Sequence, residues 1–500
     1  MPIDPLQQTA NSRFLACNDD VVRLIIGSDI SKNDHVALCL AHSHLRRLAE
    51  PFLYSRITLG PWRNPRYYAR PHSISLLLRA ILRRPDLAAC IRAIELDSGW
   101  YQSGFNNPGA RAYHFIVHEP DLEIIVPCVE RTWAQMPCRD AWISELRQGV
   151  MDAYVALLIV SAPGLLHLQL NRDFFFDSAR IGAVMRFAIL NSAPVLQHVR
   201  TVRLQRWIRR LSDWPAQNTT NVLPFFYLPQ VEEMRVWLDD PRDQDISWPT
   251  GSSPSLPHLV SLKLYEIREQ HLGRILSVSP NLRSLYWEWG FQPDDEHEFD
   301  SGRLDLDLLR SALERVEGTL TKLDLAAEVG MAYHSDLRLE HRMRILGSPP
   351  TWLADFHRLK KLTIPLAFLT GLIITDPTEA GARLNKSLPR NLEELSFSTQ
   401  MLYNEIIRWD EYDIGYIPAI RSWMETASTT LPRLQKLRVE SDDGQCNECA
   451  HEYCRMKREM LELAEKAGIQ FEFVDVIEDE TEAQEKLERS ERLKNMPKYF

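Results

Sequence analysis

The sequence predicts an α/β protein in which short strands form a parallel sheet and helices connect the strands. A short apolar unit recurs ten times, segments with helical spacing lie between the copies, and proline residues follow several of these segments. A unit of this length cannot bury its own apolar face. Neighbouring units are therefore expected to stack into a right-handed solenoid.

The recurring unit is an aliphatic residue, two others, an aliphatic residue, one other and a final apolar residue. Its last two apolar positions alternate with polar ones, which is typical of a strand with one buried face. From Leu165 onward the copies begin 23 to 42 residues apart, whereas the first gap of 74 residues is long enough for a degenerate copy. The ten copies are Ile91/Ile94/Leu96, Leu165/Leu168/Leu170, Val199/Val202/Leu204, Val231/Met234/Val236, Leu259/Leu262/Leu264, Leu282/Leu285/Trp287, Leu320/Leu323/Leu325, Leu359/Leu362/Ile364, Leu392/Leu395/Phe397 and Leu434/Leu437/Val439.

Helices are predicted between the copies, for example over 181–191, 271–279 and 304–316. Proline cannot continue a helix, so helices are expected to end at Pro163, Pro194 and Pro280. A helix over 456–466 and a strand over 469–473 are expected to form the last repeat.

Together the ten copies resemble the leucine-rich repeat family over about residues 87 to 476. The resemblance implies a right-handed solenoid with a parallel sheet on its concave face. The irregular repeat lengths predict long variable loops. The alternative is an ordinary doubly wound α/β domain, although such a domain rarely has ten strands with one shared motif.

The segment before the repeats, residues 14–58, predicts three helices over 20–26, 33–41 and 44–54. Ser31 and Asn33 are candidate caps of the second helix. A bundle of this size has too small a core to be very stable alone, so it is expected to need a partner.

Three pieces of this segment, Asp20 to Ile26, Asn33 to Leu40 and Leu45 to Tyr54, resemble the F-box that precedes divergent leucine-rich repeats in fungal proteins. The resemblance implies helices that dock on a Skp-type adaptor, which joins the receptor to a cullin and its ubiquitin-conjugating machinery. The alternative is a helical cap on the first strand of the array. The expected adaptor-binding residues are Val21, Leu24, Ile25, Val36, Leu38, Leu40, Leu45 and Leu48.

Side chains between and just after the last two apolar positions are expected on the concave sheet face, because alternate strand residues point in opposite directions. In the middle copies this rule selects cations and aromatics, which are enriched in binding hot spots. Such a patch suits an acidic or phosphorylated protein segment, and the alternative is a set of solvated residues paired with nearby glutamates. The expected substrate-binding residues are Arg203, Arg235, Trp237, Lys263, Tyr265 and Tyr286.

Composition favours a protein partner. The chain has 58 Lys and Arg against 68 Asp and Glu, for a formal charge of -10, which argues against binding nucleic acid or an anionic membrane through bulk electrostatics. No apolar run approaches the ~20 residues of a membrane span. The first thirty residues lack the pattern of a secretory signal, so a cytoplasmic or nuclear location with eight reduced cysteines is expected.

No catalytic motif is found, since the sequence has no Gly-rich phosphate loop, no HExxH and no GxSxG. Cys446, Cys449, His451 and Cys454 could be zinc ligands, but their spacing also suits ordinary reduced cysteines at the start of a helix, and no metal or cofactor is expected. Residues 477–500 predict a charged tail.

The resemblances imply a non-catalytic interaction protein, similar to the substrate-recognition subunit of an SCF-type ubiquitin ligase, with a protein substrate that the sequence does not identify. The main alternative is a repeat scaffold without a connection to ubiquitin. A receptor that holds a small molecule in the concave face is a third interpretation.

Overall fold

The computed structural model describes residues 17–27, 30–59, 72–97, 115–171, 179–193, 195–205, 219–238, 241, 246–291, 303–329, 344–347, 350–372, 374–398, 416–440 and 450–474. The chain has an α/β fold with parallel strands, and it forms two compact units, Met1–Leu259 and Val260–Phe500. The division between the units falls inside the predicted repeat region.

Among the described residues of the first unit, five strands pair in parallel and in chain order. They are β1 (Arg56–Leu59), β2 (Ala93–Asp97), β3 (His167–Asn171), β4 (Thr201–Gln205) and β5 (Glu233–Trp237). The helices are α1 (Asp19–Gly27), α2 (Lys32–Ala41), α3 (Ser43–Ser55), α4 (Ser73–Arg83), α5 (Pro85–Ala88), α6 (Glu119–Thr132), α7 (Arg139–Gln148), α8 (Met151–Val160), α9 (Ala179–Leu190) and α10 (Thr219–Val222).

The second unit has strands β6 (Ser261–Tyr265), β7 (Ser284–Phe291), β8 (Arg303–Asp305), β9 (Lys322–Val329), β10 (Arg344–Leu346), β11 (Lys361–Pro365), β12 (Glu394–Ser398), β13 (Lys436–Glu440) and β14 (Gln470–Val474). Seven of them pair in the order β6-β7-β9-β11-β12-β13-β14, and β8 pairs with β10 in a separate parallel sheet. The helices are α11 (Glu269–Leu276), α12 (Leu306–Leu313), α13 (Leu366–Thr370), α14 (Pro377–Ser387), α15 (Tyr416–Thr430) and α16 (Ala450–Ala467).

All ten copies of the apolar unit coincide with strands, which confirms the predicted strand positions. Every apolar position of the ten copies is buried, with at most 6% of its surface exposed. The strand predicted over 469–473 is also present as β14. The short strands β1, β8 and β10 were not predicted. The segment predicted as one helix over 304–316 begins instead with the end of β8, and α12 follows it. Asp305 separates the two, because its carboxylate caps α12 by accepting hydrogen bonds from the backbone N–H groups of Asp307 and Leu308.

One backbone pattern joins successive strands within each unit. The residue after the first apolar position accepts two hydrogen bonds from the next copy, as when the Arg92 carbonyl accepts from the N–H groups of Leu166 (2.8 Å) and His167 (3.0 Å). The Thr321 carbonyl accepts in the same way from Lys360 (2.9 Å) and Lys361 (3.1 Å). Because backbone atoms make these bonds, the polar side chains of the strands are free to vary between copies.

The prolines before the strands belong to tight turns. The N–H of Leu165 donates to the Ala162 carbonyl at 3.2 Å, and Pro163 occupies the second position of that turn, where its fixed φ is favourable. Pro280 occupies the second position of an equivalent turn, in which the N–H of Leu282 donates to the Ser279 carbonyl at 3.3 Å. Helices α8 and α11 end at Val160 and Leu276, so both prolines lie beyond the helix ends. Pro194 lies outside the described residues.

The long first gap is helical over most of the residues that the structure describes, and its residues 98–114 lie outside them. Its described residues 115–166 form α6, α7 and α8, and no strand lies among them. The gap is tied together by buried hydrogen bonds, in which Trp142 Nε1 donates to the Ala153 carbonyl (3.0 Å) and the Tyr154 hydroxyl donates to the Leu146 carbonyl (2.9 Å). This helical block packs against α4, where the buried Asp121 carboxylate accepts hydrogen bonds from Ser75 and Arg79, both at 2.9 Å.

His72 caps α4 and makes the stability of the first unit depend on pH. Its imidazole accepts a hydrogen bond from the N–H of Ile74 and stacks on Phe115 with ring centroids 4.5 Å apart. Burial lowers the pKa of His72 from 6.5 to about 4. Between these values only the unfolded chain takes up the proton, so the contribution to stability is present above pH 6.5 and is lost as the pH falls towards 4.

We expect the His72→Asn variant to lose less stability on acidification than the wild type, because asparagine retains the cap and does not titrate. The difference in the free energy of unfolding between pH 7 and pH 5 should be about 2 kcal/mol smaller in the variant. Urea unfolding at the two pH values measures it. Equal pH dependence of the two proteins would contradict this role of His72.

Candidate protein-interaction surfaces

Among the described residues, three helices precede the first strand, as predicted, and their boundaries lie within two residues of the expected ones. Ser31 caps α2, because its side chain accepts a hydrogen bond from the N–H of Asp34, whereas Asn33 lies inside the helix. Helix α3 continues through Pro51 to Ser55 and leads directly into β1. We call α1, α2 and α3 the helical module.

A small core holds the helical module together. It is formed by Val22, Ile26, Leu45, Leu48 and Ala49, with Leu38, Cys39 and Phe52 packed against it. Two of the expected adaptor-binding residues, Leu45 and Leu48, are therefore buried inside the module and are not available to touch a partner. Leu38 is half-buried beside them.

The other five expected adaptor-binding residues lie outside that core. Leu24 and Leu40 are 77% and 75% exposed, and Val21, Ile25 and Val36 are at least 40% exposed. Val21, Leu24 and Ile25 share one face of α1, opposite Val22 and Ile26, because residues three and four apart are neighbours on a helix. Leu40 follows Val36 by one turn on α2. We call these five residues the exposed apolar set.

Polar contacts fix the helices of the module relative to one another. The Asp19 carboxylate at the start of α1 lies 3.1 Å from His44 Nε2 and 2.7 Å from Arg47 Nη2, both on α3. His35 on α2 lies 2.9 Å from the Ile26 carbonyl through Nε2 and stacks on Phe52. The exposed apolar set is thus presented on a fixed scaffold.

The helical module is also attached to the first strands. Arg84 Nη1 donates to the Glu50 carboxylate of α3 at 2.8 Å, and the N–H of Arg92 donates to the Ser55 carbonyl at 2.8 Å. Arg56 and Glu95 form an ion pair at 2.6 Å between β1 and β2. One side of α3 is therefore occupied by the repeat array.

Three of the expected substrate-binding residues lie in the first unit. Arg203 of β4 and Arg235 of β5 are partners in strand register, so their side chains are neighbours on one sheet face. The guanidinium of Arg235 lies 5.4 Å from the Trp237 ring centroid. Arg235 is buried, however, so it packs beneath this face and offers little surface for a partner to contact.

The remaining three lie in the second unit and contact one another. Lys263 Nζ is 5.8 Å from the Tyr286 ring, and the rings of Tyr265 and Tyr286 are 5.0 Å apart. The Tyr286 hydroxyl donates to Glu288 at 2.8 Å, which agrees with the interpretation that nearby glutamates partner this face. Tyr265 is buried, so Lys263 and Tyr286 offer most of the accessible surface.

Several other charges among the described residues on this face of the second unit are paired. Lys322 lies 3.1 Å from Asp324, and Lys361 lies 2.8 Å from Glu394. Glu472 is bound by Lys436 and Arg438. Partial burial opposes ionisation of Glu472, but the hydrogen bonds from these two cations outweigh it and hold its pKa below the usual value.

The described chain offers no metal site or membrane span. No three His, Cys, Asp or Glu side chains of the described residues are arranged to hold a metal ion, and none of the described helices has the length and apolar character needed to cross a bilayer. Cys446 and Cys449 lie outside the described residues, as do the side chains of His451 and Cys454 and the predicted tail at 477–500.

Fold and surfaces together define an α/β protein with parallel strands, a recurring strand unit and an exposed apolar set on its first helices. A scan against models of known protein families finds no model that matches the chain, and a search of curated proteins finds no significant match.

Proposed function

We propose that this protein is a non-catalytic substrate-recognition subunit of an SCF-type ubiquitin ligase, in which the helical module binds a Skp-type adaptor and the repeat strands bind a protein substrate. The exposed apolar set carries this proposal. Large apolar side chains that a small bundle leaves exposed on two helices are typical of a surface that another protein covers. The F-box resemblance of the same helices suggests which protein that is.

The arrangement of α3 supports a division of roles within the module. Its contacts with Arg84 and Arg92 attach the module to the first strands, while α1 and α2 carry the exposed apolar set. A partner could dock on α1 and α2 without displacing any of these contacts.

A second candidate function is a repeat scaffold in which the module only caps the first strand. The attachment of α3 to β1 and β2 favours this candidate, because terminal units of repeat proteins require a cap. A cap alone, however, gives no reason for five apolar residues to remain exposed on α1 and α2.

The two candidates differ in what happens when the exposed leucines are replaced. In the Leu24→Gln/Leu40→Gln variant, we expect the affinity for a Skp-type adaptor to fall by about 100-fold, since each leucine would lose roughly 1.5 kcal/mol of apolar burial at the interface. Isothermal titration calorimetry with the purified full chain and adaptor measures this change.

A matched control is the Arg23→Gln/Lys32→Gln variant, which alters two exposed polar positions on the same helices. It should bind the adaptor within about threefold of the wild type, because exposed charges contribute little. Both variants should keep the wild-type thermal midpoint. If the folded wild type does not bind the adaptor at all, the ligase proposal fails and the scaffold function is favoured.

A further inference from the structure

Three arginines lie on neighbouring turns at the edge of the second unit where the strands begin. Arg358 precedes β11, Arg390 precedes β12 and Arg433 precedes β13. All three side chains are exposed, and none of their guanidinium groups forms a hydrogen bond or ion pair with another described residue. We call these residues the arginine edge.

The turns that carry the arginine edge are close together. Asn391 Nδ2 donates to the His357 carbonyl at 2.7 Å, which joins the turn of Arg390 to the turn of Arg358. Strands β11, β12 and β13 are neighbours in register, and adjacent strands are about 4.8 Å apart. The three turns that precede these strands therefore follow one another over about 10 Å along the stack.

The lysines next to these turns are already neutralised. Lys360 Nζ lies 2.8 Å from Glu393, and Lys361 Nζ lies 2.8 Å from Glu394. The available positive charge at this edge is thus concentrated on three guanidiniums. Arginine also presents a planar fork of donors that matches carboxylate and phosphate oxygens, which lysine does not.

We propose that the arginine edge binds an acidic segment of a partner protein, whose carboxylate or phosphate oxygens accept hydrogen bonds from Arg358, Arg390 and Arg433. This site is separate from the sheet-face residues and from the helical module. It stands whether or not the module binds an adaptor.

The surroundings favour a peptide over nucleic acid. The exposed Asp355 lies beside the turn of Arg358, so a continuous phosphate backbone would meet a like charge there, whereas a peptide can place its acidic groups at intervals. Among the described residues of the three turns, Phe356 is buried and no exposed Phe, Tyr or Trp offers a stacking surface for a base.

Fluorescence anisotropy with the full chain tests the proposal. The probes are a labelled peptide with glutamates at alternate positions, the same peptide with phosphoserines at those positions, and a neutral glutamine version. We expect the Arg358→Gln/Arg390→Gln/Arg433→Gln variant to bind the anionic peptides at least about tenfold more weakly than the wild type at moderate salt.

The matched control is the Lys386→Gln/Arg458→Gln/Lys466→Gln variant, which removes the same charge from exposed positions on α14 and α16. It should bind within about twofold of the wild type. Binding of both anionic peptides would identify carboxylates as sufficient, and binding of the phosphopeptide alone would identify a phosphorylated segment. The proposal is overturned if folded wild type binds neither peptide, if both variants lose affinity equally, or if a single-stranded oligonucleotide binds more tightly than the peptides.

Discussion

Replacing Trp287 by alanine should lower the free energy of unfolding of the second unit by about 5 kcal/mol. The indole is fully buried in β7, between Leu264 of β6 and Leu325 of β9 in strand register. Its Nε1 donates to the Ile267 carbonyl at 2.8 Å. The substitution therefore removes the largest side chain of this repeat position and leaves a buried carbonyl without its donor.

The matched variant Trp287→Phe separates the two effects. Phenylalanine fills most of the volume of the indole but cannot donate a hydrogen bond to the Ile267 carbonyl, so the free energy of unfolding should fall by about 1 to 2 kcal/mol. Urea unfolding followed by circular dichroism gives the free energies, and hydrogen exchange of the β6, β7 and β9 amides shows whether the loss falls in the second unit. Equal costs for the two variants would mean that the ring's volume contributes little, contrary to this account of the repeat core.

The repeat strands could be predicted because each copy must bury two alternating apolar side chains on the same face of its strand. The alternation in Leu262-Lys263-Leu264 places two apolar side chains on one face, and the turn before Leu259 starts the strand at a fixed distance. Trp287 occupies the same position as smaller apolar residues in other copies. The spacing of apolar positions is therefore kept even where side-chain volume differs greatly.

The helices of the long first gap could not be predicted in the same way. Helix α8 is buried on nearly all sides, from Met151 to Ile159, and a helix without a polar face has no amphipathic period. Strands β8 and β10 have only three residues each, which is too short for an alternation to be recognised.

The sequence identified the residues of the helical module but not their surroundings. Leu24 and Ile26 are equally apolar and lie half a turn apart, and only the position of α3 decides that Ile26 is buried and Leu24 is exposed. The arginine edge was missed because Arg358, Arg390 and Arg433 are distant in the chain. The stacking of the turns brings them together.

Breaking a buried ion pair in the first unit should also lower the free energy of unfolding by several kcal/mol. Arg180 of α9 donates from Nε and Nη2 to the two oxygens of Glu145 on α7, at 2.8 and 2.5 Å, and its side chain is only 10% exposed. In Glu145→Ala, we expect the free energy of unfolding to fall by about 3 to 4 kcal/mol, because a largely buried guanidinium loses its paired acceptors.

This large loss in the free energy of unfolding is expected because the Arg180–Glu145 pair is buried, and not because the two groups are close together. Arg310 and Glu314 lie at a similar distance of 2.7 Å, but both side chains are about half exposed, so Glu314→Ala should lower the free energy of unfolding by less than about 0.5 kcal/mol. Replacing both partners, as Glu145→Leu/Arg180→Met, should recover most of the loss because no charge is left buried. Denaturant unfolding of the single, double and control variants measures these differences. If the double variant were as unstable as Glu145→Ala, the loss would reflect packing of α7 against α9 instead of an unpaired charge.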